Sequence, residues 1–584
     1  MDTVYKNPYD ESRWCPTYEI TDLKDLVRKL ALLYRDKPAY LYKEKKGGPY
    51  LELTHAQLAA DVDALGTKLL DLGLAGSKIA VMGDSCYQWM LAYFAVACGI
   101  GTVVPLDKEL QPEEILNLVE TADCKAIFYT SSQAKKLEDC PVPLQIKMEV
   151  YSEKDNAEDP NTLAHLLEEG RKLLEAGDRS YLDQTIDPET LCSLLFTSGT
   201  TGVPKGVMLS HRNLVSNVKN SSRLLQLKED DRSLSILPIH HTFESTLGNM
   251  LVLYQGGSIA FCEGLKYVTK NMEECKASIL VGVPLIFESV YDKIWKQAKK
   301  SGKAAILKKL IGVRKGLKTA LGVDTASLLM KSVKKPFGGK LRLLVTGAAA
   351  IDPNVLRGFL DMGFEVLQGY GLTETAPLVA GTPEYVDRYK KAGSCGPVIP
   401  EGEIRILDPN EDGIGEILYK GPNVMMGYYN MPEETAEVLK DGWFYTGDLG
   451  FVDEQGWVYI TGRKKNVIVT KTGKNIYPEE IEQYLSVIPY IKECMVYGLE
   501  TDNDEGQGEG TLVAVQVIPD LEAVEEKLGH APVDEDTYLL LKDAIAEVNR
   551  KIPSYKRVHK ITIRETEFVK TTTKKIRRQD NIPQ

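Results

Sequence analysis

A largely apolar run, Leu191 to Phe196, leads straight into TSGTTGVPKG, Thr197 to Gly206, and the chain turns apolar again at Val207-Met208-Leu209. Short apolar runs bounded by turn residues read as buried strands. A loop pinned between two of them is therefore fixed at both ends, which sets it apart from an ordinary polar linker. Its ten positions hold three glycines (Gly199, Gly202, Gly206), four hydroxyl side chains (Thr197, Ser198, Thr200, Thr201) and Lys205. Glycine lets backbone N–H groups turn toward a ligand and approach it closely, hydroxyls add donors, and lysine adds a point charge. That combination suits a polyanion such as the phosphates of a nucleotide. The common nucleoside-triphosphatase loop is disfavoured, because it needs four residues between its glycines and a Lys-Ser/Thr pair opening a helix. Here Gly199 and Gly202 lie too close and Lys205 is followed by Gly206. Ser210 then reads as the cap of a helix running from His211.

Strand-like and helix-like segments alternate through the first two thirds of the 584 residues, which points to an α/β fold of layered, mostly parallel sheets, and the length implies two or more domains. Leu341 to Thr346 reads as a strand, Gly347 to Ala350 as a tight loop, Asp352-Pro353 as a cap and first helical residue, and Glu365 to Gln368 as the next strand. Ligands in such sheets bind beyond the carboxyl ends of strands, where the loops at Gly347 and Gly369 lie. From about 383 to 460, short strands with Gly, Pro and Asp turns form a small β-rich subdomain, and a new α/β segment begins after Arg463. There Glu500 to Glu509 reads as a solvated acidic loop and Val513 to Ile518 as an alternating strand. The apolar stretch Met90 to Leu106 is broken by Gly99, Gly101 and Pro105, so it reads as a buried helix followed by a strand and not as a membrane span.

The formal charge of −12 argues against nucleic-acid binding as a whole-molecule property. Ten cysteines without a CxxC pair, and a start lacking an apolar signal region, read as a reduced, cytoplasmic protein. One segment departs from the acidic average. Between Lys293 and Arg342 nearly every charge is basic, including Lys299, Lys300, Lys308, Lys309, Arg314, Lys315 and Lys334. A solvated helix face is the plain reading; attraction to an anionic membrane leaflet is the functional one.

Further blocks carry chemistry. In QGYGLTET, Gln368 to Thr375, Tyr370 offers a flat ring, Thr373 a hydroxyl and Glu374 a hard oxygen ligand suited to Mg²⁺. YTGDL (Tyr445 to Leu449), TGRKK (Thr461 to Lys465), TKTGKN (Thr470 to Asn475) and FVKTTTKKIRR (Phe568 to Arg578) follow. In this order and spacing the blocks resemble the adenylate-forming superfamily of acyl-CoA synthetases, luciferase and peptide-synthetase adenylation domains, from about Leu23 to Arg578. LPIHHTFE, Leu237 to Glu244, and the basic insertion before Leu341 look most like the long-chain fatty-acid–CoA ligases.

The resemblance implies a large N-terminal AMP-binding domain, 1–462, and a small mobile α+β C-terminal domain, 463–584, with a hinge near Lys465. It implies ATP, Mg²⁺ and CoA beside a fatty acid as reactants: a carboxylate attacks the α-phosphate of ATP, and the CoA thiol then takes the acyl group from acyl-AMP. Thr197, Ser198, Gly199, Thr200, Thr201, Gly202 and Lys205 would hold the phosphates. Glu374, with Thr197, would bind Mg²⁺, and Thr373 would contact the α-phosphate. Tyr370 and Gly371 would lie against adenine on one face, and Gly347, Ala348 and Ala349 on the other. Asp448 would accept hydrogen bonds from the ribose hydroxyls with Arg463 assisting, His241 would stand beside the reacting carboxylate, and Gly473 would line the pantetheine channel. The family's Pro-Lys-Thr-x-x-Gly-Lys pattern matches here except that Val569 replaces proline and Lys574 replaces glycine, which leaves Lys575 as the catalytic lysine in register. Two other readings stay open: an acyl-AMP ligase that delivers to a carrier protein, and a catalytically silent fold.

Overall fold

The structure is a computed structural model describing residues 3–197, 204–321, 325, 330–469, 474–501, 510–571 and 575–583. The chain forms two compact units, one of residues Tyr5–Ile404 with Tyr419–Phe444, the other of Met1–Val4, Arg405–Leu418 and Tyr445–Gln584.

Two sheets organise the larger unit. The first has seven strands in the order Gly427–Tyr428, Lys205–Ser210, Leu191–Thr197, Thr102–Leu106, Lys78–Met82, Cys124–Thr130, Leu144–Met148. Its last five strands run parallel, and Leu191–Thr197 makes an antiparallel hairpin with Lys205–Ser210 across the glycine-rich loop. Within Met90 to Leu106 the chain forms the helix Tyr87–Ala97, buried on every side, and then the strand Thr102–Leu106. Apolar residues all round a short helix are what a core-buried helix requires. Trp89, Met90, Leu91 and Phe94 are each fully buried, worth about 1.5–3 kcal/mol apiece. Ser210 caps the helix His211–Ser222 through a capping box with Asn213, satisfying two orphan N–H groups.

The second sheet has eight strands in the order Leu378–Gly381, Glu365–Gly371, Leu343–Thr346, Ile279–Gly282, Arg232–Ser235, Ser258–Phe261, Pro38–Lys43, Tyr50–Thr54. Its inner six are parallel and both edges antiparallel. Arg232–Ser235 lies between the two strands that follow it in sequence, so the crossovers leave it in opposite directions. This is the switch point at which open α/β sheets leave a crevice. The strand read from Leu341 begins two residues later, at Leu343, and Asp352 caps the helix Pro353–Asp361 by accepting from the Asn354 N–H.

Part of the basic segment turns inward. Buried Arg314 donates to the carbonyls of Leu360 and Asp361, Lys334 donates to that of Gly363, and Lys315 pairs with Asp361 and Tyr389. Arg314 thus satisfies carbonyls in the last turn of Pro353–Asp361, and all three cations gather at the helix end that favours positive charge. Lys299, Lys300, Lys303, Lys308 and Lys309 remain exposed.

The smaller unit contains an antiparallel pairing of Trp443–Val452 with Trp457–Arg463 over Asp448 to Arg463, and a three-stranded sheet of Ile491–Thr501, Gly510–Pro519 and Lys560–Ile563. Pro478–Ser486 and Asp534–Lys551 bring Ile481, Leu485, Leu541 and Ile545 into a core with Val496, Val513, Val515 and Val517. Proline opens the first of these helices with Glu479 and Glu480 in its first turn, as the dipole prefers. The segment read as an acidic loop from Glu500 is still strand at Glu500 and Thr501; 502–509 lie outside the described residues. No described helix is long and apolar enough to cross a membrane.

Candidate active site

In the larger unit, the polar loops follow the carboxyl ends of the second sheet's strands. Arg232–Ser235 leads to His240-His241, Leu343–Thr346 to Gly347, and Glu365–Gly371 to Thr373-Glu374. Gly347 lies so close to its neighbours that a β-carbon there would stand 3.2 Å from Phe243 Cζ and 3.3 Å from the Gly369 carbonyl. Ala348 follows in the left-handed region at φ 68°, a conformation alanine adopts only when held there. The strand ending at Gly371 shifts register between Tyr370 and Gly371, a bulge of the kind that re-aims side chains beside sites. A β-carbon on Gly371 would lie 2.0 Å from the Pro377 carbonyl oxygen, so only glycine fits.

Lys205 and Glu374 meet through a residue that sequence reading missed. The Tyr428 hydroxyl donates to Glu374 Oε1 at 3.0 Å, and Lys205 Nζ lies 4.8 Å from the centre of the Tyr428 ring. Tyr428 is placed there by the two-residue strand that pairs it with Val207, a long-range register with no local signature. The Met425 N–H donates to the Glu374 carbonyl at 2.8 Å, fixing that backbone as well. Thr197 donates to the Lys205 carbonyl across the base of the loop at 3.4 Å. Ser198, Gly199, Thr200, Thr201 and Gly202 lie outside the described residues, as do Gly473 and Lys574.

The donor set fits Mg²⁺ as a triphosphate brings it: one hard carboxylate, Glu374, beside a lysine, with phosphates and water completing the shell. Among the described residues no group of three or more acidic, His or Cys side chains could hold a metal alone.

The two histidine rings lie 4.1 Å apart between centres and are tilted 42° to each other. His240 Nε2 lies 3.6 Å from Asp107 Oδ2, and burial, with Lys108 adding to it, drives His240 down to about 3, so it stays neutral. Three residues after His241, Glu244 is buried in a π-helix, Phe243–Met250. Its Oε2 has no hydrogen-bond partner among the described residues, and burial pushes its carboxyl up to about 8, an effect that Ser235 and the Leu237 backbone only partly offset. A π-helix often marks a functional segment, and the sequence does not announce it.

In the smaller unit, Asp448 and Arg463 face each other in register, with Arg463 Nε 2.7 Å from Asp448 Oδ1. Asp448 is buried, and its N–H donates to Thr446 Oγ1 at 3.1 Å. Lys575 lies in a hairpin in which the Thr571 N–H donates to the Lys575 carbonyl at 2.8 Å and the Lys575 N–H to Thr571 Oγ1 at 3.1 Å. The residue is exposed as a whole, yet its amine is crowded by protein; that desolvation, with repulsion from Arg463 and against attraction to Asp448, lowers it to about 8. Lys465 is lowered by the same three causes in the same order. Asp448, Arg463, Lys465 and Lys575 therefore share one electrostatic neighbourhood.

Residues 27–429 match the family model described as AMP-binding enzyme. A long-chain-fatty-acid–CoA ligase, FadD15, of Mycobacterium bovis is 28% identical over 570 residues, covering 92% of this chain and 91% of its own. Long-chain-fatty-acid–CoA ligase 5 of Rattus norvegicus is 30% identical over 523 residues, 82% of this chain and 74% of its own. The crystal structure of ATP-bound MatB from Rhodopseudomonas palustris superposes with a TM-score of 0.72 at 25% identity, covering 96% of this chain and 98% of that one. With well over half of its length inside the family match, the chain belongs to the AMP-binding enzymes, the adenylate-forming superfamily of the acyl-CoA synthetases.

Proposed function

We propose that this protein activates a long-chain fatty acid with ATP to acyl-AMP and pyrophosphate, then transfers the acyl group to CoA with release of AMP. The observation that carries the reading is the Asp448–Arg463 ion pair, in register on neighbouring strands, whose two charges both act on the Lys575 amine. It sets an acceptor for the ribose hydroxyls beside a cation able to sit between two anions. A fatty carboxylate and a triphosphate repel each other, so in-line attack on the α-phosphate needs both aligned and neutralised. Lys575 balances the charge that gathers where carboxylate oxygen meets phosphorus, while Thr373 orients the α-phosphate and His241 stands beside the carboxylate. Lys205 and the hydroxyl loop from Thr197 grip the β- and γ-phosphates, and Tyr370 and Gly347 to Ala349 enclose adenine. Glu374, with Thr197, would hold Mg²⁺, which supplies neutralisation of the triphosphate. Residues 463–584 then turn about Lys465 relative to 1–462, and Gly473 lines the path of the pantetheine arm to the acyl carbon.

The names of the curated relatives support a long-chain acid. Exposed Lys299, Lys300, Lys308 and Lys309, with exposed Ile306 and Val313, support peripheral contact with an anionic leaflet from the cytoplasmic side. The experiment is a panel of acids from acetate to oleate, assayed for AMP release with and without CoA. Turnover that rises with chain length and requires CoA supports the reading. Stoichiometric acyl-AMP that CoA cannot discharge points to a carrier protein as acceptor, and no acid-dependent AMP release sinks it. Charge reversal at the four exposed lysines that leaves sedimentation with anionic vesicles unchanged removes the membrane part.

A further inference from the structure

From Lys575 the sequence reads KIRR, which as sequence alone resembles the start of a basic tail. The structure uses its last residue differently. The hairpin carrying Lys575 is closed at its base by the Lys570–Ile576 bridge and by the Arg577 N–H donating to the Val569 carbonyl at 2.9 Å. The Asn581 side chain accepts from the Val569 N–H and donates to the Val569 and Arg577 carbonyls. Arg578 leaves this base and enters the protein. Its Nη1 donates to the Val496 carbonyl at 2.7 Å, while Nη2 donates to Glu482 Oε2 at 2.6 Å and lies 3.4 Å from Glu479 Oε1. Glu482 also accepts from the Val496 N–H at 2.7 Å. Glu479 accepts from Asn466 Nδ2 at 2.7 Å, and its Oε2 lies 2.7 Å from where a β-carbon on Gly462 would stand. Gly462 immediately precedes Arg463, and Asn466 immediately follows Lys465.

We propose that Arg578 is a positioning residue for adenylation: through Glu479 and Glu482 it locks the hairpin that presents Lys575 to the strand end at Arg463 and the turn after it that carries Lys465. The inference rests on the ligase reading and deepens it, giving the catalytic lysine a fixed mount at the hinge. A planar fork suits the task, since one guanidinium meets a carbonyl and two carboxylates in fixed directions, which an ammonium cannot. The pairing is also what keeps two carboxylates together in a largely buried place; burial and the Glu479 charge push Glu482 up, and Arg578 opposes them.

The test compares the full-length protein with Arg578→Met, Arg578→Lys and the double variant Arg578→Met/Glu482→Met. Three quantities are measured: fatty-acid-dependent ATP–pyrophosphate exchange, acyl-CoA formation from preformed acyl-AMP, and amide hydrogen exchange of the peptide spanning 569–577. Arg578→Met leaves carboxylates unpaired and lowers Tm; the double variant removes one of them and recovers Tm. The expected result is that exchange turnover stays down by about twentyfold in the double variant, with the half-saturating ATP concentration changed less than about threefold and the thioester step nearly intact. Arg578→Lys restores only part of the turnover. Amides of 569–577 exchange about tenfold faster while those of Gly510–Pro519 are unchanged. Recovery of exchange turnover together with Tm in the double variant overturns the proposal, as does a parallel loss of both half-reactions or unaltered protection of 569–577. A wild-type protein that activates no acid overturns the ligase reading instead, and the hydrogen-exchange arm still decides whether Arg578 holds the hairpin.

Discussion

Replacing Tyr428 separates two contributions that its ring and hydroxyl make to one site. Tyr428→Phe deletes the 3.0 Å hydrogen bond to Glu374 Oε1 and keeps the ring beneath Lys205 Nζ at 4.8 Å. A hydrogen bond to a charged group contributes about 1.5–3 kcal/mol, and the half-buried setting of Glu374 calls for the lower end. At about 1.4 kcal/mol per decade, Tyr428→Phe lowers kcat/KM for MgATP in pyrophosphate exchange by roughly tenfold. Tyr428→Leu also loses the cation–π contact, about 0.5–1 kcal/mol, and so a further twofold to fivefold. Because Tyr428 is buried, Tm is followed beside activity, and Tyr428→Phe is expected to move it little. The assay is exchange at varied MgATP and free Mg²⁺, in which Tyr428→Phe demands more Mg²⁺ to saturate. Wild-type activity in Tyr428→Phe would refute the orienting role of the hydroxyl. Equal loss in the Phe and Leu variants would refute the role of the ring beneath Lys205.

Three further outcomes test the proposed reading. Lys575 is charged below about 8, so kcat/KM for adenylation falls as pH rises through that value, and Lys575→Ala abolishes exchange and its pH dependence while sparing the thioester step from preformed acyl-AMP. Gly371→Ala drives a methyl group into the Pro377 carbonyl, which displaces Tyr370, Thr373 and Glu374 and costs about 1–3 kcal/mol of stability; calorimetry and ATP titration should both register it. On the proposed CoA path, Gly473→Leu should abolish acyl-CoA formation with exchange intact, and an equal loss in both half-reactions would exclude the channel.

What the sequence disclosed depends on how local each signal is. The hairpin around the glycine-rich loop, the Ser210 cap, the Asp352-Pro353 helix start and the buried helix within Met90 to Leu106 rest on neighbouring residues, and the structure has them all. Tyr428 was illegible because its place depends on pairing with Val207, more than two hundred positions away. Arg578 looked like part of a basic tail because nothing near it signals the two acids on Pro478–Ser486 that receive it. The basic segment misled in the opposite way: charge counts cannot tell Lys308, which faces water, from Arg314, which seals a helix end. Nothing local in the sequence shows what His240 meets, and the structure puts it against Asp107.

The acid inside the π-helix tilts how this protein tolerates alkali. Glu244 has its carboxyl raised to about 8 when folded, against the ordinary glutamate range of about 4.3 in an open chain, so the native form holds a proton that the denatured form releases. Its contribution to stability is complete below that lower value and drains away as pH climbs toward 8. Glu244→Gln, alike in shape but unable to ionise, should flatten that decline in thermal melts between pH 5 and 8, whatever it does to turnover.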